Sequence, residues 1–251
     1  MKLIVPALAV YLMANEDAPA LAEAAVRGGA TVIELGIPYS DPLADGTTIQ
    51  RAAQAALDLG ITPHRALELL AEINRRVDVP LVPMTYGAII EGYGEEAFCR
   101  DAAAAGAEAL IVADIPPEES ERLRAAAEAV GVDLIHLVAP TSRPERIQAA
   151  AAASRGFVYL VAAVGVTGAR ENLDSRVAEL LTLTRAAAGE TPILGGFGVS
   201  TRAHVAGLIA AGADGAIVGS AAIDAIERGG PEALEALVRE LAAGLSASSH
   251  D

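Results

Sequence analysis

A chain of 251 residues is long enough for one large core, and 53% of it is apolar; Trp is absent, so that core must rest on Val, Leu, Ile and Ala. Thirty-three acids against 18 Lys and Arg leave a formal net charge of −15, which argues against nucleic acid or an anionic membrane as a partner, since both are held by basic patches. The lone Cys99 excludes an internal disulfide and a cysteine-based metal cluster, and it falls in a helix-like stretch where it reads as a packing residue.

The first apolar run, "LIVPALAVYL", is read as a strand rather than a secretory leader, because no small-residue cleavage site follows it. Seven more strand-length runs succeed it: "TVIELG", "PLVPMTY", "EALIVA", "DLIHLV", "GFVYLVA", "TPILGG" and "DGAIVG". Helix-period segments rich in Ala, Leu, Glu and Arg fill the intervals, around 16–28, 47–76 with an interruption near Gly60, 94–105, 117–130, 143–154, 171–189, 201–211 and 220–245. Strands apolar at nearly every position suit a parallel sheet covered on both faces. Eight strand-then-helix repeats predict an α/β fold of one domain, a (β/α)8 TIM barrel over residues 1–251. An open doubly wound sheet is the alternative, weakened because no Gly-x-Gly-x-x-Gly follows the first strand.

Punctuation agrees. Pro116 and Pro117 with acids open one helix and Gly131 ends it. Ser142 and Ser200 are read as N-caps, and Gly212 as a stop. No run reaches the roughly 18–20 apolar residues that cross a bilayer. The polar tail from about 246 to 251 is read as frayed.

In such a barrel the chemistry belongs at the C-terminal ends of the strands. There "IELGIPYSDPLADG" places Glu34 near the end of the second strand. A carboxylate in a dry barrel is costly unless paired or protonated, so Glu34 reads either as a structural partner of a polar neighbour or as a general acid/base of raised pKa. Asp45, eleven residues on, is the second acid of this loop; Asp41, before Pro42, reads as turn chemistry. The glycines of "GGFGVS" and Gly219-Ser220, after strands seven and eight, suit a phosphate site of backbone N–H groups and a helix N-terminus. Gly165, Thr167 and Gly168 form a small-residue loop able to act as a lid. Tyr159 lies on the sixth strand, and Met84 and Tyr86 share a face of the third, where they line a pocket or fill the core. The histidines show no metal-ligand spacing, His136 being read as a core or pocket residue, so no metal is predicted.

With these residues together, the chain resembles the α subunit of tryptophan synthase nearly end to end. "IELGIPYSDPLADG" is the most specific block; "LIVADIPPEE", "LVAPTSRPERI", "YLVAAVGVTGAR" and "GADGAIVGSA" follow in order. The resemblance implies retro-aldol cleavage of indole-3-glycerol phosphate to indole and D-glyceraldehyde 3-phosphate in tryptophan biosynthesis. It places the proton shuttle at Glu34, the group that holds the indole N–H at Asp45, and Tyr159 beside the glutamate. It puts the phosphate on Gly168, Gly198, Gly219 and Ser220, and the pocket and lid on Tyr11, Met84, Tyr86, Ile111, Thr167, Phe197 and Ile217. It further implies a cytoplasmic α2β2 enzyme, with Pro38 and Asp41 toward the β subunit and pyridoxal phosphate on that partner, not on this chain.

The chain departs from the pattern in places. It lacks the usual pre-barrel helix, has "YLMANEDAP" after the first strand, and carries Thr47, Ala88 and Ala162 where the family usually has Pro, Asn and Ser. These changes leave Glu34, Asp45, Tyr159 and the phosphate glycines in place but touch the partner and lid loops. A standalone indole-releasing lyase, a different phosphate-handling barrel enzyme and a non-catalytic barrel that only activates a β subunit are therefore the alternatives.

Overall fold

The computed structural model describes residues 1–42, 45–161, 175–196 and 198–246. Residues 1–6 form no helix, and the chain enters β1 (Ala7–Met13) directly. Strands then alternate with helices: α1 (Ala18–Gly28), β2 (Val32–Gly36), α2 (Thr47–Asp58), α3 (Pro63–Asn74), β3 (Leu81–Thr85), α4 (Gly87–Tyr93), α5 (Glu95–Ala104) and β4 (Ala109–Val112). After a 3-10 turn at Pro117–Glu119 come α6 (Glu121–Ala129), β5 (Asp133–Ile135), β6 (Leu137–Val138), α7 (Pro144–Ala153) and β7 (Val158–Val161). The chain continues through α8 (Ser175–Ala188), β8 (Ile193–Gly196), α9 (Arg202–Ala210), β9 (Gly215–Val218) and α10 (Ser220–Ala242).

The strands make one parallel sheet in the order β5-β4-β3-β2-β1-β9-β8-β7-β6. Its two end strands, β5 and β6, are halves of the single fifth strand that the sequence predicts, parted at His136. The first half pairs with β4 and the second with β7, so continuity of the chain closes the ring and makes the predicted eight-stranded barrel. His136 still serves the ladder, its carbonyl accepting the Tyr159 N–H at 3.1 Å.

Alternation along each strand divides the apolar residues into two sets. Ala7, Ala9, Val32, Val82, Ala109, Ile111, Ile135, Leu194 and Ile217 pack inside the ring, with Phe157 and the partly buried Met1 and Leu3. The outward set, including Leu8, Ile33, Leu35, Leu110, Val158 and Val218, packs beneath the helices. Close approach of α1 to α10 depends on Gly28, where a Cβ would lie 2.8 Å from the Glu235 carbonyl oxygen.

Local details correct the sequence reading in four places. Residues 87–93 form a helix of their own, α4, in the interval between "PLVPMTY" and the helix expected from residue 94, to which the sequence reading assigns no element. The last helix is kinked at Gly229 and Gly230, because Gly230 is left-handed and Pro231 interrupts the helical hydrogen bonding. Ser142 is not a cap: Arg143 holds that position, and the Ser142 hydroxyl accepts the Ala139 N–H. Ser200 is likewise displaced by Thr201, whose hydroxyl accepts the His204 N–H. The tail from 247 onward lies outside the described residues.

Candidate active site

The C-terminal ends of the strands open on a cavity enclosing roughly 740 Å3, its mouth included. Its walls bring together most of the residues singled out from the sequence: Tyr11, Glu34, Asp45, Met84, Tyr159, Gly198, Gly219 and Ser220. Ile49, Leu137, Val161 and Gly46 complete them. None of these four stands out in the sequence as a site residue, although the signals exist. Leu137 resumes the inward alternation of Ile135 across the break at His136, and Ile49 sits in the first turn of the helix that follows Asp45.

Glu34 and Tyr11 are register neighbours on β2 and β1, so both side chains point inward. Glu34 is only 2% exposed, and its Oε2 has no hydrogen-bond partner among the described residues. Burial, reinforced by the charge of Asp45, pushes its carboxyl up to about 8.

Asp45 is half-buried just ahead of α2, its carbonyl accepting the Gln50 side-chain amide at 2.9 Å. Burial raises its carboxyl too, but a hydrogen bond from the Tyr86 hydroxyl opposes the rise. The two acids are thus unequal: Glu34 favours its proton, and Asp45 is helped to lose its own. Tyr86, buried just past β3, is positioned from two sides. The Tyr39 ring packs against it, tilted by 30° with centroids 5.0 Å apart, and the next residue's N–H, that of Gly87, is held by the Asp114 carboxylate at 2.7 Å. Tyr39 sits inside the opening block yet is missing from the sequence reading, since loop aromatics carry no periodicity.

Tyr11 and Tyr159 stay neutral phenols, their pKa raised by burial and by the nearby carboxylates. Each lies over a glycine of the neighbouring strand. A Cβ at Gly36 would fall 1.9 Å from the Tyr11 hydroxyl, and one at Gly196 would fall 2.9 Å from that of Tyr159. Gly195 serves the other face, where a Cβ would meet Leu208 of α9 at 2.7 Å. Gly198 has a positive φ of 74° and supplies the turn. The glycines of "GGFGVS" therefore do separate jobs, and Gly198 is the one that lines the cavity.

Across from the acids, α10 starts at the cavity wall with Gly219 as its N-cap and no capping side chain. Its first-turn N–H groups and helix dipole suit an anion at this spot. Ile111 and Ile217 belong to the interior cluster and do not line the cavity. Pro38 is buried within the chain, leaving Asp41 as the exposed residue of that pair. Thr167, Gly168 and Phe197 lie outside the described residues. His64 stacks on Tyr93 at the surface, and no three His, Cys, Asp or Glu side chains cluster as metal ligands among the described residues. No described helix is long and apolar enough to cross a membrane.

A sequence profile described as "Tryptophan synthase alpha chain" matches residues 2–248. The chain belongs to the tryptophan synthase alpha chain family. An alpha chain from Prochlorococcus marinus is 44% identical over 236 residues, 92% of this chain and 88% of the relative. One from Methanosarcina barkeri is 45% identical over 249 residues, 97% and 93% of the two chains. Among solved structures, a chain from the α2β2 complex of tryptophan synthase from Pyrococcus furiosus superposes with a TM-score of 0.88 at 35% identity, covering 96% of this chain and 99% of that one. A Mycobacterium tuberculosis tryptophan synthase chain gives 0.87 at 42% identity, covering 96% and 93%. As a tryptophan synthase alpha chain, the protein is a carbon–carbon lyase of tryptophan biosynthesis acting on indole-3-glycerol phosphate.

Proposed function

We propose that this one-domain barrel performs the cleavage with Glu34 as proton shuttle and Asp45 as fixed anion. The observation that carries the assignment is the pairing of a nearly dry Glu34, raised to about 8, with a second acid on the same cavity. Protonated Glu34 delivers its proton to C3 of the indole ring. The positive charge that develops on the ring nitrogen is stabilised by the Asp45 carboxylate. Glu34, now a carboxylate, takes the proton of the hydroxyl on the carbon bonded to C3. The carbon–carbon bond breaks, its electron pair returns to the ring, and the former hydroxyl carbon leaves as the aldehyde of glyceraldehyde 3-phosphate. Tyr159 flanks the glutamate. Backbone N–H groups at Gly198, Gly219 and Ser220, joined by Gly168, hold the phosphate and keep the reacting carbons in register.

Further properties of the reading follow from kinship. The Pyrococcus furiosus relative is described through mutual activation within an α2β2 complex. On that likeness this chain pairs with a β subunit in the cytoplasm, Asp41 lies at the contact, and pyridoxal phosphate resides on the partner alone. The test is indole release from indole-3-glycerol phosphate by the purified chain, with and without a β subunit. Cleavage that rises on adding the partner is expected. Cleavage indifferent to it would make this a standalone lyase, and none under either condition would leave a scaffold.

A further inference from the structure

A second cavity adjoins the first. It lies past the ends of β4 and β6 and encloses roughly 1220 Å3, its opening to solvent included. Val112, Ile115 and Pro116 give it an apolar side, and Asp114 and His136 a polar one. Among the described residues two side chains, Leu137 and Val161, line both cavities. Leu137 packs against the interior cluster, and Val161 shares the inward face of β7 with Tyr159. Each is half-buried, and each is wall to the space on both sides.

The strand order fixes what this partition faces. With β5 and β6 counted as one strand, β7 is reached from β2 through β3, β4 and β5/β6 one way and through β1, β9 and β8 the other. Leu137 and Val161 therefore stand across the barrel from Glu34. With C3 of the indole at Glu34 and its nitrogen at Asp45, the far edge of the ring system, carbons 5 and 6, points away from both acids and toward this pair. We propose that Leu137 and Val161 set the size limit on the indole ring, by closing off a second cavity that would otherwise receive substituents on carbons 5 and 6. The inference rests on the placement of the indole under the proposed function. A packed wall rejects a substituent by overlap; with the wall trimmed, the substituent gains the apolar surface of Val112, Ile115 and Pro116.

The test compares kcat/KM for release of the indole from unsubstituted and 5-benzyloxy indole-3-glycerol phosphate. The proteins are wild type, Leu137→Ala, Val161→Ala and Ile49→Ala, the last trimmed where the wall belongs to the first cavity alone. Wild type should discriminate against the benzyloxy substrate by at least about tenfold, the scale of a few methylene groups in an apolar pocket. Leu137→Ala should erase most of that preference, Val161→Ala should move it in the same direction, and Ile49→Ala should leave it within about threefold. Having a variant on each of two strands keeps the test decisive if one of them fails to fold. Wild type that takes both substrates equally, partition variants that keep the full preference, or an Ile49→Ala gain as large as theirs would overturn the proposal. Calorimetric binding of the matching 3-(indol-3-yl)propyl phosphates, which lack the hydroxyls needed for cleavage, should follow the same order. Wild type that released no indole would defeat the functional reading, and the binding series would still decide the role of the partition.

Discussion

The phenol of Tyr11 on β1 lies against the backbone of Gly36 on β2, so close that a methyl group at position 36 would sit 1.9 Å from the hydroxyl and 2.4 Å from the ring carbon that bears it. The contact ties a wall residue of the cavity to the strand that carries Glu34. Gly36→Ala is expected to cost about 2–3 kcal/mol, the scale of overpacking a rigid interior. In a Tyr11→Leu background the same change should cost far less, because the clashing ring is gone. Denaturant unfolding of the four proteins in this cycle measures the coupling.

Glu34 stabilises less than it could. Its folded carboxyl sits at about 8, above the ordinary 4.5, so the folded chain binds the proton more tightly than the unfolded one. Stability from this group is full below about pH 4.5 and is lost as pH rises through 8. Glu34→Gln removes the titration. The variant should be more stable than wild type by roughly 3 kcal/mol at pH 7 and by more at pH 8 and above, with little difference at pH 4. Unfolding midpoints across that range would check both the sign and the window.

The alternating pattern made the barrel readable, since apolar runs and helix-period segments follow from burial on both faces of a parallel sheet. The break at His136 was not readable. A single polar residue inside "DLIHLV" does not reveal that the strand changes partner there, because the pairing depends on the barrel's closure. Glu34 was legible as an oddity, a carboxylate among buried neighbours, and its role came from the specific block around it. Gly195, Gly196 and Gly198 looked alike as letters; only the neighbours Leu208 and Tyr159 separate packing from turn. Tyr39 was invisible because its ring contact with Tyr86 leaves no trace in spacing.

His136 makes the opposite pH prediction from Glu34. It is 4% exposed, its Nε2 has no partner among the described residues, and burial lowers its pKa to about 4, against a weaker opposing pull from Glu118. The unfolded chain therefore takes the proton first. Stability from this site is full above about pH 6.5 and is lost as pH falls toward 4, with a loss of roughly 2 kcal/mol by pH 5. His136→Phe should flatten that acid decline. A decline of the same steepness in the variant would place the cause elsewhere.

The phosphate assignment separates binding from stability at Ser220. A carboxylate at the first position of α10 suits the helix dipole, by about 0.5 kcal/mol, but repels a phosphate held by the same N–H groups. Ser220→Asp should therefore keep or slightly raise the melting temperature while raising KM for indole-3-glycerol phosphate at least about tenfold. A raised KM with a falling melting temperature would point to damage, not to the phosphate.

The central claim is that Glu34 moves the protons. Single-turnover indole release from indole-3-glycerol phosphate, compared between wild type and Glu34→Gln across pH 5 to 9, tests it most directly. General acid–base catalysis is worth about 10²–10⁴-fold, so the variant should lose at least about a hundredfold, and the wild-type alkaline limb near 8 should vanish with it. Glu34→Gln protein that cleaves within a few-fold of wild type, with the alkaline limb intact, would contradict the assignment.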